Sequence, residues 1–212
     1  MLIGPYSLLI LSSRVNNIHK INKIDKIYLL DIIGAQPKDG GNKMLRCFLV
    51  HNGNKINTLL CQGVGMFSVF SGNKQYTNQP GCTDVPNHGA IPAGTYWIVD
   101  RPSGGLKSQT ITFIKDIVTN VDHNSWFALY RDDGTVNDRT WINGIMRGQF
   151  RLHPIGPLGL SEGCVTFYSQ NEFNRLRAAL LKSKTARVPG TTLQAYGTIE
   201  VKGYEKTCPV AR

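Results

Sequence analysis

Phe150-Arg151-Leu152-His153-Pro154 runs through a Pro- and Gly-rich link into Ser161-Glu162-Gly163-Cys164-Val165-Thr166-Phe167, and Tyr168 then leads into Ser169-Gln170-Asn171-Glu172. Alternation with period two marks both apolar ends as strands, since successive side chains on a strand point to opposite faces. Phe150 and Leu152 fall on one face with Arg151 and His153 on the other, and Val165 and Phe167 oppose Cys164 and Thr166. The link from Pro154 to Ser161 is too irregular for a strand and can fold back to bring the two strands together. Ser169 with Glu172 three residues on reads as a capping box opening a helix, in which Phe173, Leu176, Ala179 and Leu180 form one apolar stripe. Arg175, Arg177, Lys182 and Lys184 cover the rest of that helix and suit its C-terminal end.

Working outward, short β-type runs recur between Gly, Pro and Asn. They are Leu45–Val50, Met66–Phe70, Gly94–Val99, Thr110–Ile114, Trp126–Tyr130 and Thr198–Val201. Gly72-Asn73, Pro102-Ser103-Gly104-Gly105 and Asp133-Gly134 supply turn chemistry. The expectation is a mainly β domain, a sandwich or barrel with one amphipathic helix after the Cys164 strand. Residues 1–43 differ in texture, rich in Ile, Asn and Lys, and read as an appendage to a domain spanning 44–212. Met44 offers an alternative natural start; the competing reading is an N-terminal strand docked on the domain.

No apolar run reaches the ~18 residues of a membrane-spanning helix, and the apolar Met1–Leu11 lacks the basic start and small-residue cleavage site of a secretion signal. A net charge of +10 would suit an anionic polymer. Nucleic acid is not expected, because the Lys and Arg are scattered and no nucleic-acid-binding signature accompanies them. Five cysteines are an odd count, which in an oxidising space suggests pairs plus one free thiol, with Cys164 the candidate free one. Cys47, Cys61, Cys82 and Cys208 then allow three pairings. All five as buried reduced thiols is the bland alternative, and their irregular spacing disfavours a zinc site, so no metal is expected.

Chemistry concentrates on Cys164. A thiol with an ordinary pKa of about 8.5 needs a partner to populate thiolate at neutral pH, and His153 shares its face and could serve as base. Gly163 frees the backbone for close approach, so the amides around Gly163 and Cys164 are candidate oxyanion donors. Ser161 or a backbone carbonyl could orient His153, because Pro154 has no N–H to offer. Arg151 could hold a substrate carboxylate as a bidentate pair, or be a solvated surface charge. A buried cysteine beside a core histidine is the bland alternative for the whole string. His51, His88 and His123 read as surface-loop residues, and Trp97, Trp126 and Trp141 as core or sheet-face residues.

Ser161-Glu162-Gly163-Cys164-Val165-Thr166 resembles the Ser/Thr-His-Gly-Cys signature of L,D-transpeptidases, with Glu162 in place of the signature His and a shorter His-to-Cys spacing. Together with Phe150–Pro154 and Gly89-Ala90-Ile91-Pro92-Ala93-Gly94-Thr95-Tyr96, the closer resemblance is to the Tlde group of antibacterial type VI secretion effectors, over roughly Met44 to Val201. That resemblance implies an L,D-transpeptidase-like (YkuD-like) catalytic domain that removes or exchanges the terminal D-Ala of peptidoglycan tetrapeptide stems. It implies Cys164 as nucleophile, His153 as base and no cofactor. It also implies synthesis in the cytoplasm, export by a secretion machine, action in the periplasm of a target cell, and an immunity protein in the producer. The alternative is a non-catalytic cell-wall-binding module.

Overall fold

The structure, a computed structural model, describes residues 43–101, 125–204, 207 and 208. The strand expected at Thr110–Ile114, the turn at 102–105, His123 and most of the 1–43 appendage lie outside them. Within them the chain is mainly β with one α-helix. The strands are β1 (Leu45–Val50), β2 (Asn57–Cys61), β3 (Gly65–Phe70), β4 (Gly94–Asp100), β5 (Phe127–Arg131), β6 (Arg139–Ile142), β7 (Ile145–Gly148), β8 (Arg151–Pro154) and β9 (Val165–Phe167). Helix α1 (Gln170–Lys182), β10 (Ala186–Arg187) and β11 (Gln194–Lys202) follow.

Strand order is β1-β2-β3-β9-β8-β5-β4-β11, and β11 returns to pair in parallel with β1, so eight strands close into a barrel. Closure removes the open edges that a twisted sheet would otherwise expose. Strand β10 pairs with β11, and β6 with β7 forms a separate two-stranded hairpin. The parity of β4 and β5 shows why their sequences lack clean alternation. Tyr96, Ile98, Phe127 and Leu129 enter the main core, whereas Val99, Ala128 and Tyr130 join a second cluster with Val188 and Ala195 on the other face. Strands covered on both sides read as nearly continuous apolar runs.

Helix α1 adds Phe173, Leu176 and Leu180 to the main core, with the Phe173 ring set edge-on to Phe167, centroids 5.6 Å apart. Ser169 caps its first turn by accepting from the Glu172 amide at 3.4 Å. The other half of the expected box is not made: the Glu172 carboxylate accepts from the Ser68 amide of β3 at 3.2 Å instead. The helix start is thereby tied to the sheet. At the far end, the Ser183 hydroxyl lies 2.7 Å from the carbonyls of both Leu180 and Tyr196.

The cysteines pair as Cys47–Cys61, joining register partners on β1 and β2, and as Cys82–Cys208. Cys164 is the free thiol. One expectation fails here. His51 is not a surface residue but 96% covered: 4% of its area is exposed, its amide extends the β1–β11 pairing by donating to the Lys202 carbonyl, and Nε2 donates to Ile91 O at 2.8 Å. Its polar neighbours Asn52, Gly53 and Asn54 form the turn beyond it. Of the two places expected for Trp141, core or sheet face, it takes the second: 67% exposed, it stands on the outward face of the β6–β7 hairpin opposite Met146.

Candidate active site

Strands β8 and β9 are parallel neighbours, with Leu152 opposite Val165, His153 opposite Thr166 and Pro154 opposite Phe167. Leu152, Val165 and Phe167 point into the barrel core, which forces Arg151, His153 and Thr166 onto the other face. Cys164, one residue before β9, is half-buried. Its Sγ lies 3.8 Å from the carbonyl of Gln149, two residues before β8.

His153 is buried and tightly held. Nδ1 lies 2.7 Å from the Pro154 carbonyl, which can only accept, so Nδ1 carries the proton in the neutral ring and Nε2 is the acceptor. The Thr166 hydroxyl then donates to Nε2 across 3.3 Å. The Trp126 indole stacks on the imidazole with centroids 4.3 Å apart, and the Arg101 guanidinium lies 5.7 Å from the Trp126 ring. The Pro154 backbone carbonyl, not Ser161, holds the His153 ring. Ser161 does something else: its hydroxyl donates to the Cys164 carbonyl at 2.8 Å, bracing the turn that carries the thiol.

Gly163 has φ +109, a conformation L side chains rarely adopt. A Cβ there would also meet Arg147 Nη2 at 2.7 Å and Phe150 Cε1 at 2.8 Å. The glycine is thus required by the protein packed beneath it. Its carbonyl accepts from the Ser71 hydroxyl at 3.1 Å, and that hydroxyl accepts from the Ile91 amide at 2.7 Å.

Arg151 is not a solvated charge. Its Nη1 and Nη2 grip the two carboxylate oxygens of Asp138 at 2.7 and 2.6 Å, so a substrate carboxylate would have to share or displace that partner. Burial pushes the Cys164 thiol up to about 11, against the opposing pull of the nearby Arg151 charge and backbone. Burial also raises the Glu162 carboxyl, opposed by His88 and Arg147. His88 is half-buried in the loop after β3, its Nδ1 2.7 Å from Asn73 Oδ1 and its ring stacked on Tyr76 at 6.0 Å.

The residue that sequence reasoning overlooked is Arg147 on β7, only 5% exposed. The available signal was Asn143-Gly144, a two-residue hairpin turn, with both residues at positive φ; it predicts the β6–β7 pairing and with it the inward direction of Thr140 and Arg147. Among the described residues no group of three or more His, Cys, Asp or Glu is arranged to hold a metal, and no helix is long and apolar enough to cross a membrane.

The closed β-barrel thus carries His153 on β8 and Cys164 immediately before the neighbouring parallel strand β9. A family model described as the Tlde1 domain matches residues 65–191, a span that contains both residues, and the chain belongs to that family. Family membership points to a type VI effector toxin, a secreted protein, with an immunity protein as the partner such an effector implies. No curated protein and no solved structure gives a match.

Proposed function

We propose that this protein is a cysteine L,D-carboxypeptidase/L,D-transpeptidase that attacks peptidoglycan tetrapeptide stems in the periplasm of a target bacterium, acting as an antibacterial toxin. The observation that supports this reading is the β8–β9 register, in which His153 lies opposite Thr166, two residues along the chain from Cys164 and of the same strand parity. In this mechanism the Cys164 sulfur attacks the carbonyl between the L-centre of diaminopimelate and D-Ala, a C–S bond forms, and the C–N bond breaks. His153 takes the thiol proton and delivers it to the departing D-Ala amine. Water resolves the thioester to a tripeptide, or a free D-amino acid resolves it to a new amide. The resting pairing of Nε2 with Thr166 and the high thiol pKa mean that the imidazole must leave Thr166 and turn toward sulfur when substrate arrives.

Those same two observations favour, as a second reading, a wall-binding module in which Cys164 has no chemical role. Incubating the protein and Cys164→Ala with tetrapeptide-bearing muropeptides, with and without a free D-amino acid, separates the two by product mass. Loss or replacement of D-Ala by the unmodified protein alone supports the enzyme. Unchanged stems in both samples overturn it.

A further inference from the structure

Two anchors grip the turn that presents the thiol. One is Ser71, whose hydroxyl donates to the Gly163 carbonyl. The other is the Arg147 guanidinium, which enters from the β6–β7 hairpin beneath the same turn. Its Nη1 donates to the Thr83 carbonyl, its Nη2 to the Gly89 carbonyl at 2.9 Å, and the Glu162 carbonyl lies 3.5 Å from Nη2. The Phe150 ring packs on its carbon at 5.5 Å from the centroid. Three carbonyls from two separate loops thus converge on one planar fork, a geometry that the point charge of a lysine cannot reproduce.

Placing a cation among carbonyls, with no carboxylate hydrogen-bonded to it in these contacts, costs desolvation, and burial does lower the Arg147 pKa. A methionine would fill similar space without that cost. What the guanidinium provides in exchange is a fixed distance between the Thr83–Gly89 loop and the Glu162–Gly163 turn, and a positive charge directly beneath Gly163, the residue before Cys164. Gly163 is the complement of this device, because a Cβ at that position would come within 2.7 Å of Nη2.

We propose that Arg147 is a positioning residue for Cys164: it clamps the Glu162–Gly163 turn to the 83–89 loop and biases the thiol toward thiolate. The proposal rests on Cys164 being the nucleophile of the function proposed above, and its test is readable without substrate. The full-length protein, Arg147→Met and Arg147→Lys are alkylated with iodoacetamide across pH 6 to 11, and turnover of tetrapeptide muropeptides is measured in parallel.

For Arg147→Met the alkylation profile moves to higher pH by half a unit or more, about threefold less reaction at pH 8, and kcat falls while KM stays within about twofold. Arg147→Lys retains the charge and keeps the alkylation profile, but loses the fork and about tenfold in kcat. A folded Arg147→Met with the unshifted profile overturns the proposal, even if its melting temperature drops, since that is a merely structural role. If Arg147→Met does not fold, Arg147→Lys decides: undiminished kcat overturns the clamp. If the unmodified protein turns over no muropeptide, the proposed function fails, and Gly163→Ala, which drives a Cβ into Nη2, replaces the kcat arm. An alkylation profile that shifts in Gly163→Ala supports the clamp, and an unchanged one overturns it.

Discussion

Acidification should destabilise this domain through His51, by an amount that its surroundings fix. The ring is buried, and loss of hydration lowers its pKa from 6.5 to about 4 despite the favourable bond to the Ile91 carbonyl. The partners explain why the second proton is unwelcome. Nε2–H serves Ile91 O, while Nδ1 faces the Asn57 amide nitrogen at 3.5 Å, and the Asn57 oxygen is already used by the Thr58 amide at 2.9 Å. A second N–H would point at another N–H.

The sign follows. Between the folded value and the unfolded value of 6.5, the unfolded chain binds the proton and the folded chain does not, so stability present above pH 6.5 is lost as pH falls toward 4 and then levels off. At about 1.4 kcal/mol per unit, the step from pH 6.5 to pH 5 removes about 2 kcal/mol. For a domain of this size that corresponds to a melting temperature lower by roughly 4 to 8 °C. His51→Gln retains a donor for Ile91 O and cannot titrate. Thermal unfolding of both proteins at pH 7 and pH 5 isolates the effect, because the carboxylates contribute equally to each. The unmodified protein should lose those additional degrees relative to the variant; identical losses would refute the reasoning.

Cys164, with its thiol up at about 11, should react with iodoacetamide about tenfold faster for each pH unit from 7 to 10 in the absence of substrate; a plateau below pH 8 would mean that the thiolate already exists at rest. Thr166→Val leaves the buried His153 Nε2 without the hydroxyl it faces at 3.3 Å, so the domain should lose about 1–3 kcal/mol in urea unfolding. The imidazole is then released toward sulfur, and Cys164 alkylation at pH 7.5 should rise. Leu176→Ala empties a fully buried place in the core beside Phe173 and Leu180 and should cost about 2–5 kcal/mol by the same measurement.

How much of this was legible in the sequence depended on where the core lies. Around Cys164 the alternation was readable because β8 and β9 each have a single face in the barrel interior, so Leu152 and Val165 dictate where His153 and Thr166 must point. The helix was readable from Ser169 and its apolar stripe. Strand β2 escaped notice because Asn57-Thr58-Leu59-Leu60-Cys61 is short and carries no alternation, its Asn57 being buried for the sake of His51. Asp138 as the partner of Arg151 could not be inferred, since it precedes β6 and reaches Arg151 only because the hairpin folds back at Asn143-Gly144. The cysteine count left three pairings open, and only the side-by-side register of Cys47 and Cys61 selects one.

The parallel seam between β1 and β11 has a consequence for the life of the chain before it is complete. Leu45 finds Gly197 and Val50 finds Lys202, so the first and last strands of the barrel are partners, and the ring cannot shut until β11 has been synthesised. Such distant pairing is entropically slow to form. Until then β1 and β4 both expose an unpaired edge, because β11 covers each of them. A nascent or truncated chain is therefore a sticky open sheet, prone to edge-to-edge association, and its apolar interior lacks Ile199 and Val201. A cell making this protein would have to shepherd it through that interval, and the fastest gain in soluble yield should come from whatever shortens the wait for the last strand.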